Sequence, residues 1–248
     1  SNTPLQIDVT LLTTATYTSK NTDKSHLDAF YKTFDEVKSV KFDGLIITGA
    51  PVEYLEFDKV SYWQELCEII DWANANVFST LYVCWGAFAG FYHNYGIEKY
   101  PLSVKISGVY RHHTLIPSHP LVRGFDEYFN APHSRFSYVL RDDIISCSDL
   151  ELLAESDDAG VYLAASKDMR QIYVTGHPEY DSDTLKLEYE RDMLKGISPI
   201  VPKNYFPGND PSKQPHNSWR SHAHLLYSNW LNYCVYQTTP YNIEEIGR

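Results

Sequence analysis

A cysteine, a histidine and a carboxylate in this sequence sit where they could share covalent chemistry. In "FSTLYVCWGAFAGF", residues 78–91, Cys84 closes an apolar run and is followed by Gly86, Ala87, Ala89 and Gly90. Small residues let a helix start close to a preceding strand with its first N–H groups free. Those donors and the positive helix end stabilise a thiolate and an oxyanion. A lone cysteine in an apolar strand is more often inert packing. Its flanks separate Cys84 from Cys67 and Cys234, which lie in apolar helical patterns, and from Cys147 in a polar loop.

A cysteine nucleophile needs a base, and the base needs an orienting partner. In "QIYVTGHPEYD", residues 171–181, His177 ends an apolar run and Glu179 follows two residues on. Residues two apart in extended backbone project to the same side. Pro178 biases His177 towards that geometry. Glu179 can then hold the imidazole while His177 faces the thiol. The plain alternative is a satisfied histidine in a turn.

The elements that must position these groups follow from periodicity. "LQIDVTLL", "FDGLIITGAP" and "FSTLYVCW" read as strands. Helices are expected over residues 24–40 (Leu27, Phe30, Phe34, Val37), 60–75 and 86–95. Nearly continuous apolar strands alternating with helices predict a mostly parallel sheet covered on both faces. Further on, "KISGVYRHHTL", "LELLAES", "VYLAAS" and "QIYVTGH" read as strands, the middle ones joined by short polar turns as in antiparallel pairs. Helices are expected again over residues 181–195 and 219–236, separated by a Pro- and Asn-rich loop.

Composition narrows the function. The 248 residues carry 32 acidic and 21 basic side chains, a formal charge of −11, which argues against a nucleic-acid-binding surface. No apolar run has the length of a membrane span. Four scattered cysteines without a CxxC pair fit free thiols in a reducing cytoplasm. His112–His113 and His222–His224 lack the ligand spacing of a zinc site, so no metal is expected.

Taken together, "DGLIITGAPVE", "YVCWGA", "KISGVYRHH", "APHSR", "VTGHPEYD", "EYERD", "NYFPGNDP" and "SWRSHAHLLYSNWLNY" resemble the homoserine O-succinyl/acetyltransferase family of methionine biosynthesis, in one register along the chain. The resemblance implies an α/β, flavodoxin-like fold of the class I glutamine amidotransferase type. It implies an acyl-CoA donor, no permanently bound cofactor, and ping-pong transfer through a thioester on Cys84, with His177 as base and Glu179 as its partner. By position it also implies substrate-binding roles for Lys105 and Ser134, and carboxylate binding for Arg191. Residues 1–248 would form one acyltransferase domain lacking an N-terminal segment, with a first strand, that family members carry.

Glu53 occupies the position where, in the family, glycine accompanies succinyl transfer and glutamate accompanies acetyl transfer. The physics agrees: two carboxylates about 4 Å apart repel by roughly 1–4 kcal/mol. The expected donor is therefore acetyl-CoA and the expected acceptor L-homoserine. Phe88 departs from the family, which usually has a polar amide there. It reads either as repacking or as a reshaped acceptor pocket suited to L-serine, which would serve cysteine biosynthesis. A glutamine amidotransferase or amidase is a second alternative, disfavoured because Tyr82 breaks the GxCxG surround. A non-enzymatic binding protein is a third. The aromatic C-terminal helix and "NYFPGNDP" read as packing elements or as a homodimer surface.

Overall fold

The computed structural model describes residues 3–16, 29–240, 242 and 246. Seven strands form the main sheet: β3 (Phe42–Ile47), β4 (Val77–Val83), β5 (Tyr100–Thr114), β6 (Tyr128–Tyr138), β7 (Leu150–Ser156), β8 (Gly160–Ser166) and β9 (Gln171–Val174). Their order is β3-β4-β9-β8-β7-β5-β6. β1 (Leu11–Thr13) and β2 (Tyr31–Thr33) pair in parallel as a separate two-stranded sheet.

The α/β class holds, but the expected parallel pairing covers only β3-β4-β9. The other neighbouring pairs are antiparallel. For β7–β8 and β8–β9 the cause is connection length. Residues 157–159 join β7 to β8 and residues 167–170 join β8 to β9, whereas a parallel return needs a crossover of a dozen residues or more. Gly160 and Met169 take positive φ in these tight turns.

β4 lies between two parallel neighbours, and its run "VFSTLYV" is buried on both faces. Helix α2 (Trp63–Asn76) turns Leu66, Ile69, Ile70 and Ala73 inward at helical spacing. With α3 (Trp85–Tyr95) and α4 (Arg141–Ser146), it covers one sheet face, where Ile70, Tyr82, Phe91 and Tyr173 share a core. The opposite core joins Leu81, Val83 and Val174 to Leu226, Trp230 and Cys234. These last three come from α6 (Arg220–Asn229) and its π-helical continuation Trp230–Tyr236. A third cluster packs Val109 with Tyr205 and Phe206 of "NYFPGNDP", with Trp219, and with Leu185 of α5 (Thr184–Leu194).

The helix expected over residues 24–40 is interrupted. Residues 24–28, Leu27 among them, lie outside the described residues; Tyr31–Thr33 is strand, and only Phe34–Val37 (α1) returns to helix. Pairing with the distant Leu11–Thr13 overrides the local pattern there. No described helix is long and apolar enough to cross a membrane.

Candidate active site

Cys84 stands where β4 turns into α3. Its N–H donates to the Val174 carbonyl at 2.7 Å, and its φ of +51° is a left-handed angle for a side-chain-bearing residue. Such backbone costs about 1–3 kcal/mol and persists where the surroundings impose it. Gly86 is part of those surroundings, since a Cβ there would lie 2.6 Å from the Ile47 carbonyl oxygen. Only glycine lets the first turn of α3 sit so close to the end of β3. The Trp85 and Gly86 N–H groups have no acceptor within their own helix and can bind an oxyanion. Cys84 is 2% exposed.

His177 follows the end of β9, and its N–H donates to the Pro132 carbonyl at 2.8 Å. Its Nδ1 lies 2.6 Å from Glu179 Oε1. With Nδ1 engaged there, the ring lies beside the thiol: a Cβ on Gly49 would meet both Cys84 Sγ and His177 Cε1 at 3.6 Å. Burial alone would favour neutral imidazole, but the Cys84 sulfur and the Glu179 carboxylate outweigh it and push His177 up to about 10. The ring stacks on Tyr180 with centroids 4.1 Å apart. The structure thus brings Cys84, His177 and Glu179 into one array.

Glu53, in the loop after β3, places Oε1 4.0 Å from Cys84 Sγ, while its Oε2 accepts from the Phe136 N–H at 2.7 Å. Burial raises its carboxyl above the usual range, against the Phe136 N–H and the charges of Lys105, His177 and Arg135.

The remaining sites gather around a residue that pattern reading missed, Glu188 on α5. Its carboxylate accepts from Tyr180 Oη at 2.6 Å, from Lys105 Nζ at 3.2 Å and from Ser134 Oγ. Burial would raise this carboxyl, yet these donors together hold it below the ordinary value. Tyr180 therefore links the base, through its ring, to the anion, through its hydroxyl. Beside them lies a cleft of about 180 Å³ lined by Lys105, Phe136, Glu188, Asp192 and residues 197–200, among others. Arg191 is 53% exposed and pairs with Asp192 at 2.8 Å, and Asp192 also lies 3.9 Å from Lys105.

Phe88 is wholly buried in the core with Trp85 and Phe91 and is not among the cleft-lining residues. A helix that opens with small residues against the sheet turns its large ring into the apolar interior.

A cysteine at a strand-to-helix elbow, served by histidine and glutamate from the next strand end, belongs to the glutamine amidotransferase-like fold. Solved structures bear out that fold. A glutamine amidotransferase from Thermotoga maritima superposes with a TM-score of 0.60 at 13% identity, covering 93% of this chain and 100% of its own. One from Methylobacillus flagellatus gives 0.54 at 12% identity, over 77% and 76%. The chain belongs to the homoserine O-succinyltransferase family, which it matches over residues 1–241, and is an acyl-transferring enzyme. It is 55% identical to the homoserine O-acetyltransferase of Acetivibrio thermocellus, over 99% of this chain and 80% of that protein. It is 56% identical to that of Petrotoga mobilis, over 100% and 80%.

Proposed function

We propose that this protein transfers acetyl from acetyl-CoA to the hydroxyl of L-homoserine, a step of methionine biosynthesis, through a thioester on Cys84. The observation that carries the reading is Glu53, whose carboxylate stands 4.0 Å from the sulfur and occupies the space beside any acyl group bound there. An acetyl group fits beside it. The longer succinyl group would bring a second carboxylate against the first. The names of the relatives support the same donor and acceptor.

In the first half-reaction the Cys84 thiolate attacks the acetyl carbonyl, the carbon–sulfur bond to CoA breaks, and CoA leaves as a thiol with the proton from His177. Trp85 and Gly86 N–H groups stabilise the transient oxyanion. The thioester carries no charge, so the chief influence raising His177 disappears while its burial remains. His177 is then neutral and can take the homoserine hydroxyl proton as that oxygen attacks the thioester. The thiolate and imidazolium are restored together. One residue thus serves as acid and then as base because the charge on its partner changes.

A zwitterionic acceptor needs an anion and a cation side by side. Glu188 is placed to receive the ammonium group. Lys105 and Arg191, both beside Asp192, can receive the carboxylate, Arg191 in two-point fashion.

The test is intact-mass measurement after mixing with acetyl-CoA. An acetyl adduct on Cys84 is expected, discharged by L-homoserine faster than by L-serine. No adduct, or an adduct that persists on another residue in Cys84→Ala, overturns the reading.

A further inference from the structure

The turn from His177 to Tyr180 carries more than the thioester mechanism uses. Pro178 stands at its second position, where a fixed φ is favoured, and the Tyr180 N–H donates to the His177 carbonyl at 3.1 Å. That closure folds Tyr180 back over the residue that opened the turn. Its ring lies on the His177 imidazole with centroids 4.1 Å apart and planes 19° from parallel. The Tyr180 carbonyl in turn accepts from Trp219 Nε1 at 3.0 Å, and Trp219 is 1% exposed. The ring also packs against the cluster that holds Val109, Leu185, Tyr205 and Phe206. Backbone and packing together keep it against the base.

The far end of the same side chain holds Glu188. The Tyr180 hydroxyl donates to Glu188 Oε1 at 2.6 Å. Burial and the Glu188 charge both push this phenol up, so it keeps its proton and remains a donor. A carboxylate offers about four acceptor sites. Ser134 and Lys105 both donate to Oε2, whereas Tyr180 is the one described donor on Oε1. The less occupied oxygen is thus the one that Tyr180 holds. Helix α5 buries only Leu185, so the helix by itself fixes Glu188 weakly.

The spacing between Glu188 and His177 matters because an acceptor must span it. Its ammonium group sits on Cα, and the hydroxyl that His177 deprotonates sits at the end of the side chain. L-Homoserine has one methylene more than L-serine between the two. Attack requires reacting atoms about 3–3.5 Å apart and aligned. An ammonium anchor held at one distance from the base presents these two hydroxyls at different places, and only one of them in register with the thioester.

We infer that Tyr180 is a positioning residue that selects the acceptor by length: its ring fixes the base, its hydroxyl fixes the ammonium anchor, and one rigid side chain sets the span between them. It transfers no proton and touches no reacting atom. The inference rests on the proposed reading, with Glu188 as the ammonium site and His177 as the base.

The test follows acetyl-enzyme formation and discharge separately, by rapid-quench intact mass on the full chain. L-Homoserine and L-serine are the acceptors, and thermal unfolding is the folding control. Tyr180→Phe keeps the ring and removes the hydroxyl. Discharge by L-homoserine is expected to slow about tenfold more than acetyl-enzyme formation does, the effect of one lost hydrogen bond to a charged group. The homoserine-to-serine ratio of discharge rates should fall with it. In a Glu188→Ala background the same substitution should have little further effect, because the hydroxyl acts through the carboxylate. A folded Tyr180→Phe that keeps the wild-type ratio overturns the inference, and so does a penalty undiminished in Glu188→Ala. If Tyr180→Phe does not fold, Ser134→Ala decides, since it strips a donor from Oε2 and leaves Tyr180 on Oε1. Discharge should then slow at an unchanged ratio, and a ratio that falls overturns the inference. Absence of an acetyl-enzyme in the wild type would sink the functional reading itself, whereas an acetyl-enzyme that Tyr180→Phe discharges at the wild-type ratio sinks only the role of Tyr180.

Discussion

Cys84 and His177 stand at the ends of adjacent parallel strands, nearly closed off from solvent, while Lys105, Ser134 and Glu188 come from an antiparallel hairpin and a surface helix. The first group is held by backbone: Val174 fixes Cys84, Pro132 fixes His177, and the elbow at Cys84 leaves the sulfur one direction to face. The second group is held by exchangeable charge, with Glu188 taking three side-chain donors and Asp192 shared between Lys105 and Arg191. Bond making requires atoms placed to a fraction of an ångström, which buried strands supply. Capturing a zwitterion requires charges that can trade one partner for another.

That difference predicts different kinetic signatures. His177→Asn is expected to lower turnover about 10³-fold with the homoserine KM nearly unchanged, because general acid–base assistance is worth about 10²–10⁴. Steady-state assays over a range of homoserine concentrations check it, and a raised KM with intact turnover would erase the distinction between the two regions. Glu188→Gln should do the opposite. It keeps the shape, removes the charge, and should raise the homoserine KM about ten- to hundredfold, as expected from losing one charged hydrogen bond of about 1.5–3 kcal/mol. Formation of the acetyl-enzyme, measured by rapid-quench mass spectrometry before homoserine is added, should proceed in Glu188→Gln near the wild-type rate.

The region held by backbone is also the one that was legible in sequence. An apolar run ending at a cysteine before small residues, and His177 and Glu179 two apart in extended chain, both reflect local geometry. The exchangeable region was not, apart from the positions of Lys105, Ser134 and Arg191 supplied by resemblance. Glu188 reads as one charged residue among several on a helix that buries only Leu185. Its importance comes from Ser134 and Lys105, distant in sequence. Arg135 contradicts the expectation that arginine faces solvent, and nothing in "APHSR" announces its burial. Pro132 to Phe136 in turn reach the His177 backbone, Gly176, Glu188, the buried His112 and Glu53, which only pairing of β6 with β5 makes possible.

The smallest expected effect separates the two regions by pH. His112 and His133 are neutral and buried behind the catalytic strands, with folded values well under the 6.5 of an exposed histidine. Unfolding frees them to bind protons, so their contribution to stability is complete above pH 6.5 and is lost as pH falls, down to about 3 for His112. Over that range each histidine costs about 1.4 kcal/mol per pH unit. His119, also lowered by burial, adds to the slope with the same sign. Glu188 behaves differently: held below the ordinary 4.5, it keeps its stabilising share until the pH drops under that value. Between pH 6 and 5 the histidines titrate while Glu188 does not, so acid weakens the support of the catalytic strands first. Urea unfolding of wild type and His112→Phe across this interval reads the difference. The variant should show a slope shallower by about 1.4 kcal/mol per pH unit, and equal slopes would mean that His112 is not held neutral in the folded protein.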